Sequence, residues 1–111
     1  MDAFTVTVLL EDARASGAPF TEFLRHPSLS CGIYRIPAGG IDDQVPHRED
    51  EIYLVLHGSG RLRVAGDHID VAAGSLVYVA AHADHRFFDV TEDLEILVIF
   101  APAYSGRHQD E

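Results

Sequence analysis

The stretch GGIDDQVPHREDEIYLVLHG, residues 39–58, carries the clearest pattern in the chain and sets the expected architecture. Its second half alternates with a period of two: Ile52, Leu54 and Leu56 fall on one face, and Glu51, Tyr53, Val55 and His57 on the other, as in a β-strand. Both faces read as at least partly buried. A carboxylate at Glu51, on the face of Tyr53 and Val55, is costly there unless it is paired, protonated or bound to a cation. His47 stands just before it in the polar half of the stretch, and His85 opens a later strand. Two imidazoles and one carboxylate form a set that zinc, iron, manganese, nickel or copper accepts.

On either side of this stretch, β-branched and aromatic runs recur between turn residues. Strands are expected at Thr21–Arg25, Ser30–Ile36, Glu51–His57, Gly60–Val64, His68–Val71, Ser75–Val79, His85–Asp89 and Glu95–Phe100. The breaks fall at Pro37–Gly40, Gly58–Gly60, Ala65–Asp67 and Ala72–Gly74, where tight reversals are cheap. Leu9–Ser16 is the one expected helix, stopped by Gly17 and Pro19. Many short, evenly spaced strands argue an all-β antiparallel barrel or sandwich.

The chain has 111 residues, enough for one domain spanning 1–111, and its 47% apolar residues suffice for one core. Eighteen Asp and Glu against eight Lys and Arg leave a net charge of −10, with the basic residues scattered singly. That balance disfavours nucleic acid and anionic membrane surfaces as partners. The longest apolar run, Leu94 to Pro102, falls well short of the ~20 residues of a membrane span. The N-terminus lacks an export signal pattern, and the lone Cys31 closes no intrachain disulfide, so a cytoplasmic location is expected. Cys31 is expected to be a small buried hydrophobe. A small molecule or metal is the expected partner.

Two segments carry a resemblance to the cupin superfamily. Its first motif places Gly, His, His, Glu and Gly at spacings matched here by Gly39, Val45, His47, Glu51 and Gly58; only the first His is replaced, by Val45. Its second motif, Gly, Pro, Gly, His, Asn, is matched in spacing by Gly74, Ala80, His82, His85 and Asp89, with three identities changed. The resemblance implies a jelly-roll-like antiparallel barrel with its core at about 30–101 and one divalent transition metal held by His47, Glu51 and His85. Three protein ligands with open positions resemble the arrangement of mononuclear iron oxygenases. Because both imidazoles bind metal only when neutral, acid is expected to release it. Small cupins commonly pair through an N-terminal strand, which makes a homodimer through Phe20–Leu24 the expected assembly.

Strand parity sends Tyr53 and Val55 inward with Glu51, and Phe87 and Asp89 inward with His85. Tyr53 and Phe87 are therefore expected to contact substrate, and Tyr53, His82 or Asp89 to orient it or move a proton. Tyr34 and Arg35 lie on opposite faces of their strand, and the pattern leaves open which points in. His82 replaces a turn glycine, a place where left-handed backbone is needed and His tolerates it. His57, six residues from Glu51, lies roughly 20 Å along the strand and is no ligand. Glu49 and the other acidic residues of the loop read as a solvated turn, and Ser105–Glu111 as a frayed tail. No Ser, Cys or Lys nucleophile constellation is present. The expected function is a metal-dependent enzyme on a small organic substrate, with dioxygenase-like oxidative chemistry first. The alternatives are a metal-dependent lyase or isomerase, a non-catalytic binding barrel, or a structural metal site.

Overall fold

The computed structural model describes residues 1–106. One helix, α1 (Val6–Ser16), precedes six strands: β1 (Phe20–His26), β2 (Leu29–Ile36), β3 (Asp50–Val64), β4 (Asp67–Ala72), β5 (Leu76–Val79) and β6 (His85–Ala101). All pairings are antiparallel, in the order β1-β2-β6-β3-β4, with β5 on the other side of the first half of β3. The helix starts three residues earlier than its composition suggests and ends where Gly17 takes left-handed backbone. Its buried residues, Leu10 and Ala13, pack on Ile33 with Phe23, Leu56 and Leu97 around them, so the helix covers the outside of the sheet. Burying one leucine in this way contributes roughly 1.5–3 kcal/mol.

Two pairs of expected strands prove to be single long ones. Glu51–His57 and Gly60–Val64 join in β3, and His85–Asp89 and Glu95–Phe100 join in β6. Gly58, Ser59 and Gly60 fall in irregular pairings rather than a reversal, with register shifts between Val55 and Arg61. Such bulges bend and twist the strand that carries them. Inward positions accordingly switch from Glu51, Tyr53 and Val55 to Gly60 and Leu62. Gly58 has φ +92°, and a Cβ there would collide with the Asp93 carbonyl oxygen. Only glycine fits where β3 and β6 approach so closely.

The interior is filled by Ile36, Val55, Leu62, Leu94, Ile96 and Val98, with Tyr53, Phe87 and Phe100 in the same cluster. Cys31 is buried and free, as expected, and burial pushes its thiol pKa up. Glu95, the one charge within the apolar run of β6, is nearly buried and is bound by Arg14 from α1 at 2.8 and 2.5 Å and by Arg35 from β2 at 3.2 Å. This cluster ties the helix to the sheet.

Candidate metal centre

Glu51 lies on the inward face of β3, 1% exposed. His47 is placed by the chain just before that strand, and His85 by the first residue of β6. The loop before β6 closes over them: the His82 amide donates to the His47 carbonyl at 2.8 Å, and the Ala81 amide to Asp50 Oδ1 at 2.8 Å. As a result, ligand atoms of His47, Glu51 and His85 all lie within 4.8 Å of one another, and all three residues are buried. His85 Nε2 is 3.0 Å from Glu51 Oε1, and His47 Nε2 is in contact with the same oxygen. The His47 ring is wedged among His85, Phe100 and Tyr104 at centroid distances of 5.1, 5.5 and 5.9 Å.

The donor chemistry fits a cation. His85 Nδ1 donates to the Ala83 carbonyl at 2.9 Å, which turns the Nε2 lone pair of the neutral ring toward Glu51. Both nitrogens of His47, both oxygens of Glu51 and Oε1 of Glu49 are buried with no hydrogen-bond partner among the described residues. Buried polar atoms are nearly always partnered, and His47 Nε2 and the Glu51 oxygens, brought together beside His85 Nε2, are expensive without an ion, while His47 Nδ1 and Glu49 Oε1 face each other. Burial pushes the Glu51 carboxyl up, but its contacts with His47 and His85 outweigh that and hold it below the usual carboxylate value. Burial lowers His85, while Glu51 and the Ala83 carbonyl outweigh it and raise the imidazole above its ordinary value.

A cavity of about 210 Å³ opens against Glu51, with Phe20, Tyr34, Tyr53, Val98, Phe100 and Tyr104 for walls and Gln44 beside the carboxylate. This settles the orientation of β2: Tyr34 points in, and Arg35 points out to Glu95. Tyr53 is 1% exposed, donates to Gln44 Oε1 at 3.3 Å, and keeps its proton because burial, then Glu51, push its pKa well above the ordinary phenol value. Burial and the Asp42 carboxylate likewise push Tyr34 up. Phe87 packs edge-on behind Tyr53 at 5.0 Å, so it supports the wall rather than forming it.

Two expected site residues stand elsewhere. Asp89 is exposed, at φ +47°, on a separate open groove with Arg61, Asp70 and Ser59. Its left-handed backbone breaks the alternation, so Val90 faces inward in its place. His82 has the turn geometry expected, φ +68°, and its side chain is exposed; its backbone, not its imidazole, serves the site.

The acidic loop is not a solvated turn. Asp42 and Glu49 are 1% and 2% exposed. Asp42 accepts from the Tyr34 hydroxyl at 2.7 Å, from the Phe87 amide at 2.8 Å and from Gln44 Nε2 at 2.8 Å. Glu49 Oε2 accepts from the Ser105 amide and hydroxyl at 3.3 and 2.9 Å, and its Oε1 lies 3.5 Å from His47 Nδ1. Ser105, at the start of the expected frayed tail, is thus tied to the site; residues 107–111 lie outside the described residues. Gln44, Asp42, Tyr34 and Tyr104 carry no metal-ligand spacing that would single them out in the sequence. Val45, at the position of the missing motif histidine, is 39% exposed. No helix among the described residues is long and apolar enough to cross a membrane.

Residues 32–100 match the family described as the cupin domain. A protein of Streptomyces coelicolor, described only as uncharacterized, is 39% identical over 105 residues, covering 95% of this chain and 100% of its own. Among solved structures, TT1209 from Thermus thermophilus superposes with a TM-score of 0.73 at 20% identity, over 94% of this chain and 100% of that one. The Cnp3 cupin domain of Schizosaccharomyces pombe gives 0.68 at 15% identity over 75% of this chain, which spans 63% of that structure. At those identities the likeness concerns the fold. Taken with the barrel and the match over residues 32–100, these relationships establish that the chain belongs to the cupin domain family.

Proposed function

We propose that His47, Glu51 and His85 hold one divalent transition metal and that the protein is a metal-dependent enzyme acting on a small organic molecule. The observation that carries this reading is the set of orphaned, buried donor atoms of His47 and Glu51 beside the oriented Nε2 of His85. An iron, manganese, nickel, copper or zinc ion there would supply Lewis-acid or redox activation. The chain's own residues do the rest. Glu51 contributes negative charge, the aromatic walls line the cavity, and Tyr53 keeps its proton and holds it on Gln44 Oε1 beside the centre.

The cavity is smaller than the roughly 300–1,000 Å³ usual for drug-sized ligands, which supports a substrate of few heavy atoms. We favour oxidative chemistry with dioxygen, because three protein ligands leave positions open for two small reactants. Lyase or isomerase chemistry is the second reading, favoured by the protonated Tyr53 hydroxyl 3.3 Å from Gln44 and beside the ionised Glu51.

Elemental analysis of untagged protein, beside His47→Ala and His85→Ala, tests the centre. About one equivalent of metal that is lost in both variants is expected; a metal-free protein after reconstitution overturns the reading. Oxygen uptake with small phenols, diketones or thiols then separates the oxidative reaction from turnover without oxygen and from binding alone. The same reading includes a cytoplasmic location and a homodimer along the edge of β1, which pairs only with β2 among the described residues. A monomeric mass in sedimentation would exclude the dimer.

A further inference from the structure

We infer that Gln44 supplies a fourth metal ligand through Oε1, in place of the imidazole that Val45 lacks. The inference rests on the metal-centre reading above and deepens it.

The orientation of the Gln44 amide is fixed from behind. Its Nε2 donates to Asp42 Oδ2 at 2.8 Å, and an ionised carboxylate only accepts, so the carbonyl end must point the other way. Asp42 is itself immobilised by the Tyr34 hydroxyl, the Phe87 amide and the Gln44 amide. On the front side, Oε1 receives the Tyr53 hydroxyl at 3.3 Å and stands 3.3 Å from His85 Nε2. A carbonyl oxygen has two lone pairs, and Tyr53 occupies one. The other faces His85 Nε2, the nitrogen free to bind a metal when the ring is neutral with its proton on Nδ1 toward Ala83. The two atoms thus converge on one point, which a proton on Nε2 or a metal ion in its place would fill.

The two spacings around His85 Nε2 suit that cation. With metal–ligand bonds near 2.1 Å, neighbouring ligand atoms stand about 3.0 Å apart in octahedral and about 3.4 Å in tetrahedral geometry. His85 Nε2 to Glu51 Oε1 is 3.0 Å, and His85 Nε2 to Gln44 Oε1 is 3.3 Å. Val45, by contrast, turns toward solvent. The position next to it in sequence therefore does the work of the absent motif residue, with a neutral oxygen instead of a nitrogen. An octahedral ion with four such ligands keeps two positions open.

The experiment is cobalt(II) titration of the wild-type protein, Gln44→Ala and Gln44→Glu, read by affinity and by the visible d–d spectrum, with thermal melts of the metal-free proteins as fold controls. Wild-type binding, a loss of about tenfold or more in Gln44→Ala with an altered spectrum, and recovered affinity in Gln44→Glu support the assignment. Wild-type binding with unchanged affinity and spectrum in Gln44→Ala overturns the Gln44 ligand and leaves the three-residue centre standing. Absence of cobalt binding by the wild-type protein overturns the metal centre, and the Gln44 ligand with it.

Discussion

His85 Nε2 lies 3.0 Å from Glu51 Oε1, although the β3–β6 ladder pairs His85 with Val64, 13 positions beyond Glu51 along β3. Along an extended strand that separation is roughly 40 Å. The two residues meet because β3 and β6 bend at their irregular pairings and the Ala80–Asp84 loop is tied back to His47 and Asp50. The site is a product of barrel closure.

Glu51→Gln removes the charge that raises His85. In metal-free protein the His85 pKa is expected to fall, since burial then acts against the imidazolium with less opposition. An NMR titration of the imidazole measures this, and an unchanged His85 pKa would show that Glu51 is not its main electrostatic partner. Metal binding by the variant is expected to weaken severely as well.

Glu49→Gln is expected to weaken metal binding about 10- to 100-fold while leaving the ligands in place, the usual cost of disturbing a group that orients a ligating histidine. Glu49 Oε1 faces His47 Nδ1 at 3.5 Å, and Ser105 holds the other oxygen. Competition against a chelator of known affinity checks it; equal affinities would assign Glu49 a purely structural part.

Acid stability is expected to depend on Glu95. Its pKa is lowered chiefly by the Arg14 hydrogen bond, opposed by burial and helped by Arg35. A carboxyl depressed in the folded state stabilises above its unfolded value, 4.5, and that contribution disappears as pH falls through the folded pKa. Denaturant midpoints should therefore drop below about pH 4.5 more steeply in the wild-type protein than in Arg14→Ala. Parallel curves would show that Glu95 does not govern the acid response.

Gly58→Ala is expected to cost about 2 kcal/mol or more, because alanine is strained at φ +92° and its methyl would collide with the Asp93 carbonyl. Gly66→Ala, with open space around the position and no positive φ, serves as the neutral control. Equal melting temperatures of the two variants would mean that β3 and β6 can separate at the bend.

Features that depend on near neighbours in the chain are legible in the residues alone. The period-two pattern of Glu51, Tyr53 and Val55 fixes their shared inward face, Gly17 ends the helix, and motif spacing picks out His47, Glu51 and His85. Which loop side chains turn inward is a different matter. Asp42, Gln44 and Glu49 look like any polar turn, and the burial of Asp42 and Glu49 arises only when Tyr34, Phe87 and Ser105 arrive from β2, β6 and the segment after β6, with Gln44 half-buried against Asp42. Nor does parity survive a left-handed residue, which is why Asp89 faces outward. Local periodicity is set by backbone geometry within a few residues. The partners of a buried polar group are set by which distant strands the closing barrel brings against it.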